Sequence, residues 1–381
     1  MGEKSKMEAE ATRQIRYAVV GAGSIAQEAV LPAFQNAGNS ELTALVSGDA
    51  AKRAALGKRY GIARTYAYEQ YDECLSSGEV NAVYIALPNH LHRQYAERAA
   101  RAGIHVLCEK PLAPTEEDCR AMIETARETG TNLMTAYRLH FEEANLEAVR
   151  VCQSGRLGDL RIFDSIFTQQ VADGNVRLSH EIAEGGGPLF DMGVYCINAA
   201  RYLFREEPVE VSAFRGNNGE KRFRKTEEAM SVMLRFPKDR LATFTVSFGA
   251  APAGRYALAG TKGVVVLDPA YEYSADKRLR VTVDGITNER IFPKVDEFGP
   301  ELDYFSDCIL NNREPEPSGE EGMVDVQIIR AAYRAAEAGR AVPIETQRRY
   351  TRPTPEHEAH RPPVEERELL HARMPSGKTK K

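Results

Sequence analysis

Ile15-Arg16-Tyr17-Ala18-Val19-Val20-Gly21-Ala22-Gly23-Ser24-Ile25-Ala26 is the stretch that decides the fold of this chain. Its first half is an apolar run rich in β-formers, and it feeds straight into a G-x-G-x-x-A turn. A helical pattern follows to about Ala37, and Glu41 to Val46 reads as the next strand. Strand, glycine turn, helix and strand make a βαβ unit of the dinucleotide-binding kind. The glycines permit a tight turn and let backbone N–H groups approach a pyrophosphate at a helix N-terminus. Gly21, Gly23, Ser24 and Ile25 are therefore expected cofactor contacts.

The end of the second strand bears on which nicotinamide nucleotide is held. An NAD site usually places Asp or Glu there for the ribose 2′-hydroxyl. Here the strand ends Val46-Ser47-Gly48, followed by Asp49 and then Lys52-Arg53. Ser47 can bond a 2′-phosphate, and Lys52 or Arg53 can neutralise it. This pattern favours NADP over NAD. Asp49 on a 2′-hydroxyl, with Lys52 and Arg53 as solvated helix charges, is the alternative.

The α/β alternation continues. Ala82 to Leu87 reads as a strand ended by Pro88-Asn89-His90-Leu91-His92, His105 to Cys108 leads to Glu109-Lys110-Pro111, and Asn132 to Tyr137 leads to Arg138. Ligands bind outside the carboxyl ends of such strands. Leu87, Pro88, Asn89, His92, Glu109, Lys110 and Arg138 are accordingly expected around the cofactor. Residues 1–14 read as a flexible arm, and 15–138 as a Rossmann dinucleotide-binding domain.

From about residue 139 to 345 the pattern becomes α+β. Strands are expected at Arg161–Val171, Val209–Arg215, Ala229–Phe236, Leu241–Phe248, Arg255–Ala259, Gly263–Leu267 and Arg278–Val283, in antiparallel order on one open sheet. Helices are expected at Glu143–Ser154, Glu301–Leu310 and Glu321–Ala338, the last able to pack back on the first domain. Helices cover one face of such a sheet. The other must be solvated or paired, which suggests a homodimer or homotetramer. Residues 346–381 are rich in Pro, Glu, Arg and His and read as an extended or disordered tail.

Within this half, Gly185-Gly186-Gly187-Pro188-Leu189-Phe190-Asp191-Met192-Gly193-Val194-Tyr195 reads as a helix start. Asp191 and Tyr195 fall four apart and stack on one helical face. A carboxylate one turn from a phenol suits proton transfer, given a reactive partner opposite. Lys110 is that partner, because a lysine at a ligand-facing strand end can hold a substrate hydroxyl and stabilise an alkoxide or phenolate. Lys110, Tyr195 and Asp191 are the expected catalytic set, and Arg177 joins them in binding substrate. The plainer readings are a dipole-matched helix acid for Asp191 and a core aromatic for Tyr195.

Composition narrows the partners. A formal charge of -5 leaves no basic footprint for nucleic acid, and no apolar run is long enough to span a bilayer. The charged start, Met1-Gly2-Glu3-Lys4-Ser5-Lys6, has no apolar core of a secretory signal. The 6 cysteines are scattered, as expected of reduced thiols in a cytoplasmic protein. No histidine or carboxylate spacing suggests a metal site.

Taken together, the Gly21–Ala26 loop, the Glu109-Lys110-Pro111 tripeptide and the Gly185–Tyr195 stretch resemble the glucose–fructose oxidoreductase/inositol dehydrogenase (Gfo/Idh/MocA) superfamily. Tyr137-Arg138-Leu139-His140-Phe141 and Asn175-Val176-Arg177-Leu178 resemble its glucose–fructose oxidoreductase-like branch. The resemblance implies a Rossmann domain followed by an open antiparallel sheet, sheet-to-sheet dimers or tetramers, a tightly held nicotinamide cofactor and a sugar or polyol substrate. It implies that Lys110 binds the reacting hydroxyl and joins Pro111 through a cis peptide bond, and that Asp191 orients substrate. Tyr195 stands where many relatives carry histidine, tyrosine there being what that branch shows, and Ser47 with Lys52 looks like the NADP-using members. The expected activity is hydride transfer between NADP and a sugar or polyol. The alternatives are a non-sugar carbonyl or dihydrodiol substrate on the same scaffold, or a non-catalytic NADP-binding sensor needing neither Lys110 nor Tyr195.

Overall fold

The computed structural model describes residues 14–346 and 353–376. The expected N-terminal arm, apart from Gln14, lies outside the described residues, as do 347–352 and 377–381 of the expected tail.

The first sheet contains β1 (Ile15–Val20), β2 (Ser40–Val46), β3 (Arg64–Tyr66), β4 (Ala82–Ile85), β5 (His105–Glu109) and β6 (Leu133–Ala136). All neighbours are parallel, in the order β3-β2-β1-β4-β5-β6. β4 and β6 are buried at every position, which is why they read as unbroken apolar runs rather than alternating ones. The order reverses between β1 and β4, and the crevice at their carboxyl ends is where such a sheet receives a ligand. Local chemistry sets the helix ends. Thr115 accepts from the Asp118 N–H to start helix Glu116–Thr129, and Gly130 closes it in the left-handed region at φ 67°.

The second sheet contains β7 (Leu160–Gln170), β8 (Glu210–Gly216), β9 (Ala229–Phe236), β10 (Arg240–Ser247), β11 (Gly249–Gly260), β12 (Gly263–Asp268), β13 (Lys277–Val283), β14 (Ile286–Phe292) and β15 (Val342–Pro343). Its order is β14-β13-β12-β11-β7-β10-β9-β8-β15. The sheet is mostly antiparallel, as expected, with β10 and β7 its one parallel pair. β14 carries no alternating signal because all but its last residue are exposed. It forms through its hairpin, whose Asp284-Gly285 turn has both residues at positive φ.

Helices Glu143–Gln153, Val194–Phe204 and Gly319–Ala338 cover one face of this sheet and share its core. The opposite face leaves Ile162, Phe214, Met233 and Leu241 exposed. Gly319–Ala338 also packs against Glu116–Thr129, so it joins the two sheets, as expected. Helix Phe298–Leu310 returns further. Phe298, Leu302 and Phe305 enter the core beneath the first sheet beside Tyr17 and Leu45, and Ser306 Oγ lies 2.8 Å from the Tyr17 hydroxyl.

Residues 353–376 have no sheet partner and little core of their own. They run largely extended over helices of both domains, with a 3₁₀ turn at Pro355–His357 against helix Glu143–Gln153. Arg361 bonds Asp303 at 2.6 Å, Arg59 donates to the Glu368 carbonyl, and Leu370 exchanges backbone bonds with the Gln27 amide.

Candidate active site

The carboxyl ends of β1, β2 and β4 open onto a groove of about 370 Å³, which continues past the end of β5 into a cavity of about 520 Å³ bounded by the second sheet. Ser24, Ile25, Leu87, Asn89, Arg177 and Asp191 border both.

The groove fits a dinucleotide. Gly21 has φ 102°, and a Cβ there would lie 2.4 Å from the Ala86 carbonyl oxygen, so only glycine permits the turn. A Cβ at Gly23 would meet no protein atom within 4 Å. The loop thus leaves open space beside the amides of a helix start, which suits a pyrophosphate. Ser47 and Lys52 border the same groove, and the Lys52 ammonium donates to the Ala22 carbonyl at 3.1 Å. Burial lowers the Lys52 pKa, partly offset by Asp49. Asp49 is already engaged: one oxygen caps the following helix at the Lys52 N–H, and the other meets His371 Nδ1 at 2.6 Å. Arg53 turns its guanidinium onto the Ser47 carbonyl.

Leu87, Pro88 and Asn89 border the groove. His92 does not. Its side chain is fully buried, with Nδ1 3.1 Å from the Leu112 carbonyl and Nε2 2.9 Å from that of Leu87. Burial favours the neutral ring, which can donate on only one side. His92 therefore ties the β4 end to the loop after Lys110, a positioning task rather than a cofactor contact.

The cavity brings Lys110, Asp191, Tyr195, Arg138 and Arg177 together. Lys110 precedes Pro111 across a cis peptide bond. Its Nζ donates to the Asp191 carbonyl at 2.9 Å and to Oδ1 at 3.2 Å, and sits 4.8 Å from the centre of the Tyr195 ring. Arg177 Nε donates to the other Asp191 oxygen at 3.0 Å. Burial pulls the lysine down, but Tyr195, Asp191 and Glu109 outweigh it and hold the ammonium above the ordinary lysine value. Burial likewise pushes the Asp191 carboxyl up, and Lys110 and Arg177 more than reverse it. The cavity wall thus carries a stable cation beside a stable anion.

Asp191 and Tyr195 do not sit on one regular α-helix. Leu189–Gly193 forms a wider π turn, and the α-helix begins only at Val194. Such turns recur at functional sites because they re-aim side chains. The glycines ahead of it are set by close approach. At Gly185, φ is 81° and a Cβ would meet that of Asn89 at 2.8 Å, while the Asn89 amide donates to the Gly185 carbonyl at 2.8 Å. That contact joins the β4 loop to the start of the Tyr195 segment.

Arg138, expected around the cofactor, lines the cavity with most of its donors engaged by the protein. Its guanidinium is buried against the Glu297 carboxylate and the Tyr271 carbonyl. It still reaches the cavity, 3.4 Å from the Tyr195 hydroxyl. Glu109 accepts from the Tyr84 hydroxyl at 2.9 Å, and burial raises its carboxyl despite Lys110.

Sequence reasoning missed several walls. Phe167 and Tyr271 hold the Tyr195 ring, with centroids 5.8 and 6.1 Å away. Met374, Pro375 and Ser376 line the same cavity from the tail. None sits in a local motif. His90, from the segment after β4, also gathers at the groove mouth with His180 and Glu184 of the segment after β7, their ligand-type atoms within 4.8 Å of one another. No helix among the described residues is long and apolar enough to cross a membrane, and all 6 cysteines are free and buried.

Comparison with known proteins agrees with this architecture. Residues 15–137 match the model of an oxidoreductase family with an NAD-binding Rossmann fold, and residues 145–266 match the GFO/IDH/MocA C-terminal domain. The NADP-dependent D-xylose 1-dehydrogenase of Haloarcula marismortui is 32% identical over 85% of this chain and 91% of its own length. The crystal structure of the aldose–aldose oxidoreductase of Caulobacter crescentus, complexed with glycerol, superposes with a TM-score of 0.83. It is 38% identical over 87% of this chain and all of its own. A 3-ketoreductase of Actinomadura kijaniata, solved with NADP and TDP-benzene, gives 0.77 at 25% identity over 84% of this chain and 98% of its own. With both family models matched in order and relatives aligned over most of its length, this chain belongs to the GFO/IDH/MocA oxidoreductase family.

Proposed function

We propose that this protein transfers a hydride between NADP and a sugar or polyol carbon, with Lys110 and Tyr195 handling the hydroxyl proton. One observation carries the reading: the Lys110 ammonium lies against Asp191 and the Tyr195 ring, on the wall of a cavity continuous with the Gly21–Ser24 groove. The NADP-dependent sugar dehydrogenase and the aldose–aldose oxidoreductase among the relatives support the cofactor and the substrate class. Ser47 and Lys52 on the groove support the extra phosphate.

NADP, when bound, supplies or accepts the hydride at its nicotinamide ring. The Gly21 turn and the open side of Gly23 would hold its pyrophosphate, and Ser47 and Lys52 would take its 2′-phosphate. In the cavity, Lys110 donates to the reacting oxygen and steadies the negative charge that grows there. Tyr195 exchanges the proton with that oxygen. Arg138 and Lys110 lie against the faces of its ring and hold it in place. Asp191 keeps Lys110 charged and in place, and with Arg177 offers groups to neighbouring sugar hydroxyls. The open face of the second sheet, with Phe214 and Met233 exposed, pairs with a second copy.

A panel of aldoses, ketoses and polyols, followed by NADPH absorbance in both directions, tests the reading. Turnover with a sugar that is lost in Lys110→Ala and Tyr195→Phe supports it. Turnover confined to a non-sugar carbonyl or dihydrodiol moves the substrate class, and nucleotide binding with no turnover makes the protein a sensor.

A further inference from the structure

We propose that the C-terminal segment Leu370–Ser376 is a third wall of the dinucleotide site, a strap that spans the groove and controls nucleotide exchange. This rests on the proposed NADP chemistry of the groove.

The two ends of the segment are tied to opposite lips. On the first-sheet side, the Leu370 N–H donates to Gln27 Oε1 at 2.8 Å, and the Gln27 amide returns a bond to the Leu370 carbonyl at 3.0 Å. Gln27 follows the glycine loop directly. His371, in the left-handed region at φ 45°, turns to meet Asp49 at 2.6 Å. Asp49 lies just beyond Ser47, where the adenosine ribose of a dinucleotide belongs. On the second-sheet side, Asn175 Nδ2 donates to the Met374 carbonyl at 3.0 Å, and the Ala172 N–H to that of Pro375 at 2.8 Å. Asn175 precedes Val176 and Arg177, which border the groove from across.

Chain length limits this crossing. The stretch from Leu370 to Pro375 reaches at most about 18 Å when extended, which bounds how far it can move from the groove while both ends stay bonded. The groove remains open beneath it, and Met374, Pro375 and Ser376 line the cavity that holds Lys110 and Tyr195. Bound nucleotide therefore leaves only after one anchorage breaks. The anchors are few and partly exposed, which makes the segment one that opens locally without unfolding the sheets.

The test measures release, not turnover. Full-length protein is loaded with NADPH and chased with excess NADP in a stopped-flow fluorimeter, beside His371→Ala and a variant truncated after Glu368. Truncation is expected to speed release about tenfold or more, and His371→Ala by a smaller factor, because affinity changes of this kind fall mainly on dissociation. As a second measurement, trypsin cleavage after Arg373 in the unmodified protein is expected to slow about tenfold when NADP is bound, as the open population falls. This holds the proposal to account even where truncation disturbs folding. Release unchanged in a truncated protein that still binds NADPH overturns the strap, as does cleavage indifferent to NADP. If the full-length protein binds no NADP(H) in an equilibrium titration, the cofactor reading falls and the strap with it.

Discussion

The Lys110 ammonium lies 4.8 Å from the centre of the Tyr195 ring, although one residue follows a strand of the first sheet and the other opens a helix on the second. Asp191 fixes that approach by taking two hydrogen bonds from the same ammonium. The reaction site is thus assembled across the boundary between sheets.

Lys110→Ala and Tyr195→Phe should each lower kcat by roughly 10²- to 10⁴-fold, the usual worth of a positioned proton-transfer group. NADPH binding, read by fluorescence titration, should stay within a few-fold of the unmodified protein, since the glycine loop is untouched. A near-normal kcat in either variant would remove that residue from the mechanism.

Asp191→Asn should move the basic limb of the kcat/KM profile to lower pH. The carboxylate raises the Lys110 pKa, so a neutral amide leaves burial to pull it down and the ammonium loses its proton earlier. A pH–rate profile of the two proteins with one accepted sugar decides the direction.

Lys52→Ala should weaken NADP binding roughly ten- to hundredfold while leaving NAD binding nearly unchanged, the scale of one charge-assisted hydrogen bond. Paired calorimetric titrations with the two nucleotides measure the difference. Equal losses for both would place Lys52 on the shared pyrophosphate instead.

His140 should make the protein acid-labile. Burial first, with Asn198 opposing, takes its pKa from 6.5 down to about 4. The unfolded chain then binds the proton before the folded one does. The resulting stability is complete above pH 6.5 and is lost as pH falls through 4, by about 3 kcal/mol at most. His140→Gln should flatten the dependence of chemical-denaturation free energy on pH across that window, even if it lowers the plateau.

Phe214→Lys should abolish the proposed pairing of the open sheet faces without unfolding the subunit. The ring is 80% exposed on the open sheet face, so its loss costs the isolated subunit about 0.5 kcal/mol or less. Light scattering after gel filtration, beside a thermal melt, distinguishes the two effects.

How much of this was legible in the chain follows from what is local. The β1–Gly21 turn shows itself because a buried strand, a turn that only glycine permits and a helix start occupy neighbouring positions. The strands of the second sheet are readable by alternation where one face is buried, as in β9. β14, exposed nearly throughout, carries no such pattern. Lys110 stands out because it precedes Pro111, and Asp191 and Tyr195 because they fall four apart after the Gly185–Pro188 run.

Only the tertiary structure decided the rest. His92 and Arg138 look like site residues beside their strands, yet burial commits His92 to backbone carbonyls and most of Arg138 to Glu297 and Tyr271. The Pro- and Glu-rich tail has too little apolar surface to specify its own fold. Its described part takes its place through bonds to Gln27, Asp49, Asp303 and Asn175, partners far away in the chain. Backbone conformation and periodicity are set by near neighbours and can be read in order. Desolvation and long-range hydrogen bonding depend on what the finished fold brings alongside, and no local pattern encodes that.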